Sequence, residues 1–190
     1  GVLLIVTIII FIKTRKFQKD SLVRTVTNYL TFFVIFEALI GAVIVIFEWV
    51  GLNSSLPRII AVPIHLVNTF GLLGCYAILY KILDDNIKEI NSMFNKNFIF
   101  ISSLFLLSGA TGSIAALADV LFPSASFIEG FLADFDRTSE VLTRLRILHP
   151  IVSSTLSLVL YVYSIQINKK FNIRVKPLQI LIFVAVFLGF

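Results

Sequence analysis

Residues 27–50 read TNYLTFFVIFEALIGAVIVIFEWV, with Glu37 and Glu48 as the charged side chains. A helix needs ~20 predominantly apolar residues to cross the ~30 Å hydrocarbon core of a bilayer, and this stretch meets that requirement. The 190-residue chain has the same character throughout, with 58% hydrophobic residues and a mean hydropathy of +0.98. Soluble domains are only about half apolar, so the composition indicates a membrane protein.

Apolar segments of this kind recur along the chain. They are residues 1–12, 27–50, 57–80, 98–122, 141–166 and 177–190, of which the first and last are too short for a full crossing. Backbone polar groups inside lipid must be satisfied within the spanning element, and these runs are too long for barrel strands. The sequence therefore predicts an all-α polytopic transmembrane helical bundle with about four complete and two partial spans. Because the chain starts and stops inside apolar runs, we interpret it as an internal fragment of a longer protein.

The connections between the segments alternate in charge. Three are basic and contain Lys13, Arg15, Lys16, Lys19 and Arg24; Lys81, Lys88 and Lys96; and Lys169, Lys170, Arg174 and Lys176. By the positive-inside rule they face the cytoplasm, which leaves the near-neutral connection 51–58 and the acidic connection 123–140 outside. The clusters form no continuous basic face, so the net charge of +5 does not indicate a nucleic-acid partner. Cys75 is the single cysteine, which excludes an intrachain disulfide or a CxxC metal site.

The outer connection 123–140 is longer than a turn and has apolar residues at helical spacing. They are Phe127, Ile128, Phe131, Leu132 and Phe135. This pattern favours a short amphipathic helix on the outer membrane surface. The alternative is an ordinary polar loop with some aromatic anchoring.

Two histidines lie inside predicted spans. His65 falls in IIAVPIHLVNTFGLLG and His149 in VLTRLRILHPIVSSTL, each roughly eight residues, or ~12 Å, from the outer end of its helix. Ionisable residues inside a span usually face the bundle interior or a pathway. A neutral imidazole there suits axial coordination of heme iron, with its second nitrogen held by a hydrogen bond. The alternative is a histidine that is hydrogen-bonded across helices for packing.

Arg144 and Arg146 precede His149 near the outer interface. Guanidinium groups pair bidentately with carboxylates, so both arginines are candidates for binding heme propionates. The alternative is that they extend to lipid headgroups, as arginines near helix ends do.

Glu37 is a further candidate for a functional, catalytic residue, because it lies in the middle of a span where a carboxylate is costly. It can be protonated, pair with Asn68 or Thr69, or take part in proton movement. Glu48 and Asp119 lie near outer helix ends, where solvation explains them. The chain contains no P-loop, HExxH, GxSxG or GxGxxG pattern, so nucleotide hydrolysis, zinc proteolysis and hydrolase chemistry have no motif support.

Four short motifs, in order, resemble those of the heme A synthase family. They are FEALIGAVIVIFEW at 36–49, IHLVNTFGLLG at 64–74, SGATGSIAALADVLFPS at 108–124 and, after a long outer loop, RLRILHP at 144–150. The first and third also resemble each other, since each carries Gly-Ala and precedes a helix with one histidine, as in a duplicated helix pair.

The resemblance implies an eight-helix protein of two four-helix halves, with one histidine on each even-numbered helix. Residues 1–82 would end the first half, 83–97 would form a cytoplasmic connection and 98–190 would begin the second half. His65 would then be the ligand on helix four and His149 the ligand on helix six. Their partner histidines would lie outside this chain, so the two would serve different heme sites.

The resemblance also implies a reaction, the oxidation of a methyl group of heme O to the formyl group of heme A for cytochrome oxidase assembly. His65 would face the substrate heme O, and His149 would ligate the cofactor heme b. The implied setting is a bilayer, the bacterial plasma membrane or the mitochondrial inner membrane, with heme O synthase as a partner. A homo-oligomer is compatible with the pattern.

Two departures from the family pattern leave alternatives open. The outer loop lacks the cysteine pair of many relatives, and Pro150 follows His149 where Arg is frequent. A diheme b-type electron-transfer protein, or a transporter or scaffold whose histidines serve packing, therefore stands beside the heme-modifying oxidoreductase.

Overall fold

The computed structural model describes residues 2–18, 21–85, 96–171 and 174–189. Its elements are α1 (Val2–Thr14), α2 (Leu22–Ile46), α3 (Leu56–Asp85), α4 (Lys96–Leu121), α5 (Phe127–Phe135), α6 (Val141–Leu145), α7 (Leu148–Phe171) and α8 (Lys176–Gly189). The predicted all-α class is confirmed, and within these ranges there is no strand. Lys19 and Lys88 of the basic connections lie outside the described residues.

Helices long and apolar enough to cross a bilayer are found at Leu22–Ile46, Leu56–Asp84, Lys96–Leu121 and Val141–Lys169, while α1 and α8 are shorter apolar helices. This confirms four spans, and the chain is a multi-pass membrane protein; that α1 and α8 belong to partial spans stays a prediction. Apolar side chains cover its outside, with Leu39 57% and Phe187 77% exposed, because lipid is as apolar as they are. The direction in which the spans cross stays a prediction.

The chain divides into two compact units, residues 1–95 and 96–190. In the first, α2 packs against both α1 and α3. Its core includes Leu30 and Val34 from α2 and Leu72 and Leu79 from α3, all of them buried. In the second, α4 packs against α6 and α7, α5 against α6, and α7 against α8.

The predicted span at 141–166 is confirmed in the span Val141–Lys169, but its helix is interrupted near the start. Residues 146 and 147 form a turn between α6 and α7. Pro150 explains the break, because proline lacks an N–H and its ring clashes with the carbonyl of the residue four positions earlier, here Arg146. That carbonyl instead accepts from the N–H of His149 at 3.1 Å. Pro63, by contrast, lies within α3 without interrupting it.

The first long span is also shifted relative to its prediction, since α2 begins at Leu22 and ends at Ile46. Beyond it the backbone turns sharply, with positive φ angles of 54° at Glu48 and 60° at Gly51. A positive φ is uncommon outside glycine and ends a helix effectively.

The predicted helix in the outer connection is confirmed as α5. Ser126 caps it, because its side-chain oxygen accepts from the Glu129 N–H at 3.2 Å, and the Glu129 carboxylate accepts from the Ala125 N–H at 3.1 Å. This reciprocal pattern resembles a capping box. Gly130 faces the protein and is buried, whereas the five apolar side chains that predicted the helix are exposed.

Candidate functional site

The site in the first unit joins His65 on α3 to Glu37 on α2. The His65 Nδ1 lies 3.4 Å from the Glu37 Oε2, but their geometry does not meet the criteria of a hydrogen bond, and the Nδ1 is buried. The His65 side chain is nevertheless 38% exposed. The exposed part of the side chain therefore does not include Nδ1.

Asn68 and Thr69 hold the Glu37 carboxyl group. Asn68 is 4% exposed, and its amide nitrogen donates to Glu37 Oε2 at 2.5 Å and to the Phe33 carbonyl at 2.9 Å. The Thr69 hydroxyl lies within hydrogen-bonding distance of both Glu37 Oε1 and the His65 carbonyl oxygen. Among the alternatives that the sequence left open for Glu37, the structure shows pairing with both Asn68 and Thr69.

The helical repeat explains why these groups meet. Positions three and four apart lie on one face of a helix, so His65, Asn68 and Thr69 share a face of α3. That face packs against α2. The approach is close, since a Cβ placed on Gly71 would lie 2.7 Å from a ring carbon of Phe33.

An apolar groove runs between α2 and α3 beside this site. Its volume is about 550 Å³, and it is lined by Phe36, Leu39, Ile40, Val43, Trp49, Leu56, Pro57, Ile60, Ala61 and Ile64. The sequence showed these residues only as part of apolar spans. The groove depends on how side chains of the two helices and of the connection between them come together, which composition does not specify.

The site in the second unit is built on His149 at the start of α7. The Nδ1 of His149 lies 3.2 Å from the Ser108 carbonyl oxygen and 3.5 Å from the Thr111 hydroxyl. A carbonyl only accepts, so this contact makes Nδ1 the protonated nitrogen and Nε2 the one with a free lone pair. The ring rests on Gly112, where an added Cβ would lie 2.9 Å from Cε1.

Arg146 is bound to acidic residues and does not extend outward as a free cation. Its Nε donates to Asp134 at 2.8 Å, Nη1 to Asp119 at 2.5 Å, and Nη2 to the Gly130 carbonyl at 2.7 Å. The Arg146 and Asp134 side chains are 15% and 9% exposed, whereas Asp119 is 61% exposed. Arg146 therefore ties α5 to α4, a role that the sequence did not indicate. Arg144 is exposed.

Both histidines suit an axial ligand of heme iron. In the described ranges neither Nε2 has a hydrogen-bond partner, while each Nδ1 faces an oxygen atom of the preceding long helix. Those ranges contain no group of three His, Cys, Asp or Glu side chains that could hold a metal ion without a cofactor. A heme needs only one axial histidine from each helix, and an oxygen beside its second nitrogen orients the ring.

The fold and these residues define a polytopic membrane protein in which one helix of each unit presents a histidine. The chain belongs to the COX15-CtaA family, described as cytochrome oxidase assembly protein, which matches it over residues 1–190. This match confirms the resemblance to the heme A synthase family.

Two curated relatives carry the name Protoheme IX farnesyltransferase and come from two strains of Thermus thermophilus. Each is 30% identical to the chain over 148 residues, which is 76% of this chain and 24% of the relative. The chain thus spans about a quarter of the length of these relatives. No solved structure matches it.

Proposed function

We propose that the protein oxidises a methyl group of heme O to the formyl group of heme A during cytochrome oxidase assembly. The observation that carries the proposal is the arrangement of His65, whose Nδ1 faces Glu37 while 38% of its side chain is exposed. In a member of the cytochrome oxidase assembly family, such a histidine is suited to hold a heme.

The two units divide the work in this proposal. His65 binds the substrate heme O, and His149 binds a heme b cofactor through Nε2. Conversion of the methyl to the formyl group takes its oxygen atom from water and releases four electrons, which a bound heme b would pass on to an electron acceptor outside the chain. The chain's own contribution is to place an oxygen atom beside the Nδ1 of each imidazole, from Glu37 at the first site and from the Ser108 carbonyl at the second, where the ring also packs on Gly112.

Arg144 is our candidate for pairing with a heme propionate, because its side chain is exposed. Arg146 has only part of its donor set available for the same task. A guanidinium has five N–H donors, and those of Arg146 already contact two carboxylates and one carbonyl.

The chemical structure of heme O indicates which reaction must supply it. Heme O carries a farnesyl-derived group, so an enzyme that modifies protoheme IX with such a group must act first. The Thermus thermophilus relatives are named for that transfer, and a quarter of their length is similar to this chain. We therefore place the protein beside heme O synthase in the bilayer of the bacterial plasma membrane, or of the mitochondrial inner membrane in a eukaryote, with both histidines towards the outer side.

The test is expression of the full-length protein in a host that makes heme O but no heme A. Extraction and chromatography of total heme should show heme A with the wild type and none with His65→Ala, whose purified protein keeps the heme held at the His149 site. His149→Ala should lose that heme. Bound heme without any heme A would identify an electron-transfer protein, and a protein without Soret absorption would refute both functions.

A further inference from the structure

The two histidines meet oxygen atoms of different kinds through the same ring nitrogen. His65 Nδ1 lies 3.4 Å from a carboxylate oxygen of Glu37, whereas His149 Nδ1 lies 3.2 Å from the backbone carbonyl of Ser108. The first unit thus supplies an acidic partner and the second a neutral one.

The partner of a ligating histidine changes the electron density that the ring gives to a metal. A carboxylate next to the ring nitrogen that does not bind the metal raises the basicity of the ligand more than a neutral carbonyl does. A more basic ligand stabilises the oxidised, ferric iron and so lowers its reduction potential. We propose that Glu37 is a positioning residue that makes the iron held by His65 harder to reduce than the iron held by His149.

The surroundings of Glu37 support a fixed role. Its side chain is 20% exposed and receives donors from both Asn68 and Thr69. Asn68 commits its second amide proton to the Phe33 carbonyl, so the carboxyl group is linked through Asn68 to the backbone of α2. A residue held at several points cannot turn away from the imidazole without breaking these contacts, which keeps the two side chains in register.

This inference rests on the proposed binding of heme by His65, and the experiment separates the two. The full-length holoprotein is purified as wild type, Glu37→Gln and Glu37→Asp, and each is titrated by optical spectroelectrochemistry. Glu37→Gln should keep both hemes and raise the midpoint potential of one. We expect a change of about tenfold in the redox equilibrium constant, which is ~59 mV for one electron. The potential of the other heme should stay unchanged.

Glu37→Asp retains the charge and should lie between wild type and Glu37→Gln. The matched control is Glu48→Gln, which removes an exposed glutamate near the end of the same segment and should alter neither potential. Full heme content with unchanged potentials in Glu37→Gln would overturn the inference and leave the proposed function intact. Loss of heme from both Glu37 variants would also overturn it, because Glu37 would then act in folding. If His65→Ala left the heme content and heme A production unchanged, the proposed function itself would fail.

Discussion

Gly112 is the position at which one added methyl group should disturb His149. A Cβ there would lie 2.9 Å from Cε1, 3.1 Å from Nδ1 and 3.4 Å from Nε2 of the imidazole. Three ring atoms approach together, so rotation about a single bond cannot relieve all of the contacts. Gly112→Ala should therefore either push the ring away from the Ser108 carbonyl or separate α4 from α7.

Gly41 supplies the matched comparison, since a Cβ there meets nothing within 4 Å. Both glycines lie inside helices, and replacing a helical glycine by alanine stabilises the helix by roughly 0.5–1 kcal/mol at either position. That gain cancels when the two variants are compared. The remaining difference is the cost of overpacking, typically about 1–3 kcal/mol, by which Gly112→Ala should be the less stable.

The assay is unfolding of the purified full-length protein in mixed micelles with increasing SDS, alongside the spectrum of its bound heme. Gly112→Ala should unfold at a lower SDS fraction than Gly41→Ala and should shift the spectrum of one heme. If the two variants unfolded together and their spectra matched the wild type, the close packing of His149 on Gly112 would be refuted.

Two further predictions concern packing within the units. Asp134→Asn should destabilise the protein by about 1–3 kcal/mol, because this buried carboxylate accepts hydrogen bonds from a guanidinium. Asp119→Asn changes an exposed carboxylate and should cost less than ~1 kcal/mol. Unfolding in SDS measures both free energies, and equal destabilisation by the two variants would contradict the prediction. Tyr76→Phe removes the 2.7 Å hydrogen bond to Thr7 and should cost about 0.6 kcal/mol. Tyr80→Phe, at a side chain that is 71% exposed, is the control for the same assay and should be neutral, so equal effects of the two tyrosine variants would argue against the bond.

The lengths of the apolar segments were enough to predict most of the helices, because a run of ~20 apolar residues is long enough to cross a bilayer as a helix. The same reasoning included the partners of Glu37 among its alternatives. A carboxylate in mid-span needs donors, and Asn68 and Thr69 are polar side chains of the adjacent span. The amphipathic helix α5 was also predictable, since its apolar positions follow the helical repeat.

Contacts between neighbouring helices were harder to predict from the sequence. Asp119 was assigned to solvent from its place near a helix end, yet it binds Arg146. The break between α6 and α7 follows from Pro150, but Pro63 in α3 causes no such break, so proline alone does not decide the outcome. Which nitrogen of His149 meets a carbonyl depends on the rotation of the side chain, and one sequence does not specify it.

The bonds of Arg146 have a consequence for the order in which the second unit assembles. Asp119 and Asp134 precede Arg146 by 27 and 12 residues, so during synthesis both carboxylates emerge before the cation that binds them. The connection 123–140 can therefore form these bonds only after Arg146, at the end of α6, has been synthesised. The entropy lost on closing a loop grows with the logarithm of its length, so the nearer contact with Asp134 should form first. The contacts of Arg146 then form in the reverse of chain order, first with α5 and finally with the end of α4.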